Sequence, residues 1–187
     1  MGFSNRALRR YESLLLYYED LARAEPDHGH YQRELSVAYN KMGDLYRALG
    51  QGEAARDAFA KALAIRERLA RDEPDRADYQ RDLSVSYNQM GDLYRALGQG
   101  EAARDFYLKD LEIAERLARD EPDRADYQRD LVVSLVQHAQ ITEGAGGRAH
   151  LQRALGIVEA LQTNGRLDPA DAELLPALRG MLDAMPG

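Results

Sequence analysis

Four histidines, one glycine-rich run and a set of helix-spaced serines are the groups through which this chain could do chemistry. His28-Gly29-His30 offers two imidazoles across one residue, the beginning of a metal shell. Two nitrogens fall short of the three or four protein ligands that a zinc site uses. The aligned positions further along read Arg76-Ala77-Asp78 and Arg124-Ala125-Asp126, so the pair reads as a solvated loop. His138 stands where Met42 and Met90 stand in earlier segments, and reads as a partly buried packing residue. Gly144-Ala145-Gly146-Gly147-Arg148 has the glycine content of a phosphate cradle. A nucleotide loop follows a strand and carries a lysine-serine/threonine or G-x-G-x-x-G signature; this run follows a helix and has neither, so it reads as a turn. Ser36, Ser84, Ser86 and Ser134 recur at equivalent helical positions with no histidine at matching spacing, which marks a structural slot and not a nucleophile. No cysteine is present, so disulfides, thiolate catalysis and thiolate-bound zinc are excluded. No calcium-loop pattern occurs. The many carboxylates read as solvated helix faces with arginine partners. No catalytic residue, metal site or cofactor is therefore expected.

What remains is a pattern suited to binding. Arg33, Val37, Asn40, Asp44 and Arg47 recur as Arg81, Val85, Asn88, Asp92 and Arg95. Steps of four and three hold each set on one face of a helix. Asparagine is a poor helix former, and its repetition in mid-helix suggests a ladder of polar contacts toward a peptide or protein. The competing reading is plain solvation, with Asp44–Arg47 and Asp92–Arg95 as weak intrahelical pairs. A third copy reads Arg129, Val133, Val136, Gln140 and Glu143, so the ladder ends there.

The elements that carry this stripe come from an internal repeat. Glu25-Pro26-Asp27 returns as Glu73-Pro74-Asp75 and Glu121-Pro122-Asp123, a period of 48 residues. Residues 25–72 and 73–120 agree at 36 of 48 positions without a gap. The third copy keeps Glu121 to Leu131 and then diverges. Within a period, Tyr31, Leu35, Ala38, Tyr39, Met42, Leu45, Tyr46 and Leu49 define one broad apolar helix face. Gly50-Gln51-Gly52 ends that helix, since glycine accepts the left-handed conformation of a helix end. A second helix carries Ala55, Phe59, Ala62, Leu63, Leu69 and Ala70 until Pro74 stops it. Asp75 is placed to cap the helix that follows. Nothing alternates with period two, so no strands are expected. A lone hairpin cannot bury both faces, and stacking supplies the core.

Tyr39, Met42-Gly43, Tyr46, Ala55, Phe59 and Ala62, with Tyr87, Met90-Gly91, Tyr94, Ala103, Tyr107 and Asp110, resemble the signature of the tetratricopeptide repeat (TPR) family. The small Gly43 and Gly91 fit where paired helices approach closely. The resemblance covers about residues 5–163 and implies an all-α, TPR-like α-solenoid: a right-handed superhelix of antiparallel hairpins without strands. It implies that the first helix of each hairpin lines a concave, peptide-binding face. Both helices are longer than the family's usual 34-residue period allows, and Asp110 stands where a small alanine is usual.

The expected organisation is one domain over 1–187. An unpaired second-type helix (4–24) precedes repeat 1 (25–72), repeat 2 (73–120), a divergent repeat 3 (121–163) and a C-terminal capping helix (168–185). Leu14-Leu15-Leu16-Tyr17-Tyr18 is apolar all round, a possible end-on interface that another domain or a second copy would cover. The capping helix is expected to begin at Asp168-Pro169 and to kink or restart at Pro176.

The net charge of −7 and the absence of any basic block argue against nucleic acid and anionic membrane partners. No window is long and apolar enough to span a bilayer. A cytoplasmic, arginine-rich bacterial protein is the compositional expectation; Lys41, Lys61 and Lys109 are the only lysines. The expected function is non-catalytic binding of a peptide or protein on the concave face. The rival is a structural or regulatory arm of a larger protein, its apolar N-terminal end packed on another domain or on itself. The near-identity of the two central copies leaves a consensus-like design open beside a natural fragment.

Overall fold

The computed structural model describes the backbone of residues 2–142 and 144–185, with side chains from residue 9 onward. Among the described residues eight α-helices follow one another: α1 (Gly2–Ala24), α2 (Gly29–Ala48), α3 (Gly52–Asp72), α4 (Ala77–Ala96), α5 (Gly100–Asp120), α6 (Ala125–Ala139), α7 (Gly144–Thr163) and α8 (Leu174–Ala184). No strand occurs among the described residues. Within each of two compact units consecutive helices pack on one another, and the fold is an all-α solenoid. The chain divides into two compact units, residues 1–97 with α1 to α4 and residues 98–187 with α5 to α8.

In the first unit the core follows the repeat. Ala55, Phe59 and Ala62 of α3 are wholly buried, as is Met42 of α2. A Cβ built on Gly43 would lie 2.6 Å from Cδ1 and Cε1 of Phe59, so the ring occupies the space a side chain would need. The close approach expected at Gly43 is therefore present. Gly50 and Gly98 adopt φ of +72° and +73°, the left-handed ends expected of α2 and α4.

Each first-type helix is latched to the preceding helix by a glutamine. Gln32 Nε2 donates to the Ala22 and Pro26 carbonyls at 3.2 and 3.1 Å. Gln80 does the same to Ala70 and Pro74 at 3.0 and 3.2 Å, and Gln128 to Ala118 at 2.9 Å. These bonds satisfy helix-end carbonyls that have no intrahelical donor. A tyrosine adds a second tie: Tyr39 donates to Glu19 at 2.6 Å and Tyr87 to Glu67 at 3.0 Å.

The helix starts differ from expectation. Asp75 does not cap α4; the N-cap is Arg76, which makes no side-chain cap bond. Its guanidinium instead stacks 3.9 Å above the Tyr79 ring and chelates Asp78 at 2.9 and 3.1 Å. Arg124 repeats this on Tyr127 and Asp126. His28 takes the same slot on α2, stacked 3.9 Å from Tyr31. Burying an aromatic face under a planar cation or imidazole supplies the fastening that a carboxylate cap would give.

In the second unit, Asp110 of α5 is almost fully buried and accepts from Ser134 Oγ of α6 at 2.8 Å. The family's small-residue slot is filled by a hydrogen-bonded carboxylate. Gly144–Gly147 is not a turn but the first turn of α7. Only glycine fits there, because a Cβ on Gly147 would lie 2.3 Å from the Thr142 carbonyl oxygen. The C-terminal segment is not one helix from 168 to 185. A 3₁₀ turn, Pro169–Asp171, capped by Asp168 accepting from Ala170 N at 2.8 Å, precedes α8. The helix restarts at Leu174, which places Pro176 in the first turn of α8, where its missing N–H costs nothing. Arg129 of α6 donates to the buried Asp171 at 2.8 Å and ties this segment down.

Burial, reinforced by a hydrogen bond to Glu67, pushes the Tyr87 phenol up to about 12. Burial and Glu19 raise Tyr39 in the same direction. An unfolded tyrosine ionises near pH ~10. Between that pH and the folded-state value, the unfolded state has lost protons that the folded state keeps, so stability falls as pH rises. The buried Arg66 of α3, drawn down to about 10 by its burial, contributes the opposite slope in the same window. Tyr18 and Tyr79 are raised by burial as well, so four tyrosines oppose one arginine, and urea midpoints are expected to drop between about pH 10 and 12. Tyr87→Phe is expected to flatten that drop; an equal slope would contradict the assignment.

Candidate functional site

The stripe lies on α2 and α4, which run parallel: bridges join Arg33 to Asp82, Asn40 to Gln89 and Arg47 to Asp92 in chain order. Its ten residues do not share one environment.

At the N-terminal end, Arg33 is committed to structure. Its Nε donates to Asp82 at 2.5 Å, its Nη2 to the other carboxylate oxygen at 3.3 Å, and Asp78 lies 3.8 Å from Nη1. In the third copy, Arg129 binds forward to Asp171 in the same manner. The forward-reaching arginine is thus a rung between successive segments.

The middle of the stripe is buried. Asn40 is only 5% exposed and does not offer its amide to solvent. Its side chain meets Arg66, which reaches in from α3. With the amide oriented to suit its neighbours, its oxygen accepts from Arg66 Nη2 at 2.9 Å and its nitrogen donates to Gln89 at 3.0 Å. Arg66 is 4% exposed. Its Nε donates to Ser36 Oγ at 3.1 Å, and its Nη1 to Ser86 Oγ and the Asp82 carbonyl, each at 2.9 Å. The guanidinium is thereby shared between α2 and α4. Ser36 and Ser86 thus serve as partners of Arg66, as Ser134 does of Asp110, and Asn40 is a positioning residue and not an exposed donor. Sequence reasoning missed Arg66, which reads in a charge-rich helix as one more solvated cation. The available signal was its alignment with Ala114.

The C-terminal part of the stripe is open. Arg47 and Arg95 are exposed and bind Asp44 and Asp92 at 3.1 and 3.3 Å, the intrahelical pairs expected. Arg47 also reaches within 4.0 Å of Asp92. Val85 is 42% exposed and Val37 half-buried. Arg81 and Asn88 are half-buried and have contacts of their own. The face therefore presents an apolar valine and, about two helical turns further along, a charged network of two carboxylates and two guanidiniums. In the third copy Val133 is exposed and Val136 half-buried, and Gln140 is exposed; Glu143 lies outside the described residues.

The proposed end-on surface divides as well. Leu14, Leu16 and Tyr17 are exposed at 41, 61 and 59%, while Leu15 and Tyr18 are half-buried. Tyr18 is held above its ordinary ionisation range by burial and by Glu34. Only one side of α1 is covered.

No cluster of three or more metal-ligating side chains occurs among the described residues. His138 and His150 do meet, Nδ1 to Nε2 at 3.1 Å, with Thr142 Oγ1 3.2 Å from the same Nδ1. Burial, then the neighbouring His150, holds His138 below its usual range, which favours the neutral ring in a packed position. No described helix is long and apolar enough to cross a membrane.

Two family models, each described as tetratricopeptide repeat, match residues 34–93 and 83–123. The fold is similar to the crystal structure of BtubC (BKLC) from P. vanneervenii, at 18% identity and a TM-score of 0.50. That alignment covers 96% of this chain and 85% of the other. No curated protein matches the sequence at a significant level.

Proposed function

Since the chain is a tetratricopeptide repeat protein, and such repeats in general mediate protein–protein interaction, we propose that it is a non-catalytic module holding a peptide or protein on the α2–α4 face. The observation that carries this is Val85, an apolar side chain left 42% exposed about two helical turns before the Asp44–Arg47 and Asp92–Arg95 pairs. An apolar anchor within reach of paired charges gives an extended ligand both area and orientation. Arg33, Asn40 and Arg66 hold the two helices in register and contribute to binding only by positioning.

A second reading rests on α1. Leu16 and Tyr17 project from a face that nothing in the first unit covers, which suits end-on packing against another domain or a second copy.

One capture experiment separates the two. The parent chain is used as bait beside Val85→Glu with Arg47→Ala and Arg95→Ala, and beside Leu16→Glu with Tyr17→Glu. Helicity is checked for each. A protein retained by the parent and by the α1 variant, and lost from the face variant, is the expected result. Loss only from the α1 variant would replace the first reading with the second. Equal capture by all three baits would overturn both.

A further inference from the structure

The second unit contains a cleft of about 490 Å³ between α6, α7 and the segment leading into α8. That size falls within the range of ligand-binding pockets. Its walls are apolar where they are deepest: Val132, Val158 and Leu161 are buried there, and Leu174 closes one side. The cleft is distinct from the α2–α4 face and owes its shape to the 3₁₀ turn that breaks the C-terminal segment.

Its polar groups specify an acceptor. Arg166 lines the cleft, and its Nη2 is buried without a hydrogen-bond partner. Its Nη1 donates at 3.2 Å to Asp123, whose side chain is almost wholly exposed. A buried donor lacking an acceptor is costly, and a ligand oxygen would remove that cost. The other cation, Arg129, is already bound to Asp171. Of the three carboxylates that line the cleft, Asp171 is paired with Arg129 and Asp126 with Arg124, which leaves the charge of Asp168, whose oxygen accepts from the Ala170 amide. This balance disfavours a further negative charge, so the oxygen that suits Arg166 is a neutral carbonyl. Asp168, exposed at the rim, favours positive charge close by.

We propose that this cleft is a docking site for a peptide segment of a partner protein. One bulky aliphatic or aromatic side chain fills the apolar floor, its main-chain carbonyl accepts from Arg166 Nη2, and basic residues flank it.

The test is titration of the full chain with acetyl-Lys-Leu-Arg amide, followed through the methyl resonances of Val132, Val158, Leu161 and Leu174. Saturable shifts at these methyls are expected, about tenfold weaker for the peptide with alanine in place of leucine. Arg166→Gln is expected to weaken binding about fivefold and to leave the unbound spectrum nearly unchanged. Ala170→Phe, a substitution at an exposed position on the cleft wall, is expected to abolish the shifts. The proposal is overturned if the alanine peptide binds equally, if both variants bind like the parent, or if the shifts fall outside the cleft. Tighter binding of acetyl-leucine, with its free carboxylate, than of its amide would overturn the neutral acceptor and point to small apolar acids.

Discussion

Replacing Arg66 with alanine is expected to destabilise the chain by about 3 kcal/mol, the sum of a buried cavity and orphaned acceptors. The expectation is not obvious from charge alone. Arg66 has no carboxylate in direct contact, and burial lowers its ionisation toward about 10, so keeping it charged has a cost. Removing the cation relieves that cost. The side chain, however, occupies a site sealed by α2, α3 and α4, and it supplies donors to Ser36, Ser86, Asn40 and the Asp82 carbonyl at once. Without it these acceptors remain buried, and the bridge across α3 that holds α2 beside α4 is gone. Arg66→Met restores most of the volume but none of the donors, and is expected to recover less than half of the loss. Urea unfolding of both variants at neutral pH decides the matter. Unchanged or increased stability in Arg66→Ala would mean that the desolvation cost dominates and that Arg66 does not hold the face together.

The second large effect is expected at Gly43. Gly43→Ala places a Cβ 2.6 Å from two ring atoms of Phe59, which is itself 1% exposed and cannot swing away. Overpacking of this kind costs about 1–3 kcal/mol. Alanine's better helix propensity returns at most about 1 kcal/mol. A net loss of about 1.5 kcal/mol is expected from these two opposing effects. Phe59→Leu removes the ring atoms that clash, so the double variant is expected to be less destabilised than the sum of the singles, by about 1 kcal/mol. Strict additivity would show that the contact is not the source of the loss.

These two residues also mark what the sequence discloses and what it withholds. Gly43 and Phe59 were legible because both belong to a periodic pattern, and a small residue opposite a large one is how paired helices approach. The helix ends at Gly50 and Gly98 were legible for the same reason: a positive φ is a local demand on a single residue. Arg66 was not, because its burial depends on α2 and α4, which the helix bearing it cannot reveal. The stripe's spacing aligns its members along each helix. Which of its members face solvent was decided by Arg66, which turns Asn40 inward, and by Asp82, which occupies Arg33. The glycine run at 144–147 misled for a related reason. Glycine lowers helix propensity locally, yet here α7 begins hard against the end of α6, and the crowding at Gly147 admits no other residue. Asp110 departed from the family pattern and found its explanation in Ser134, a partner that stands 24 residues away.

The most direct test of the central claim, that the α2–α4 face receives a protein, is site-specific photo-crosslinking. A benzophenone amino acid is placed at Val85, and in a control chain at the exposed Arg71 at the end of α3. Both chains are irradiated in bacterial lysate. A discrete adduct is expected from position 85 and none from position 71. Unlabelled parent chain is expected to suppress the adduct, and unlabelled chain carrying Arg47→Ala and Arg95→Ala to suppress it poorly. No adduct at position 85, or the same adduct from both positions, would contradict the claim.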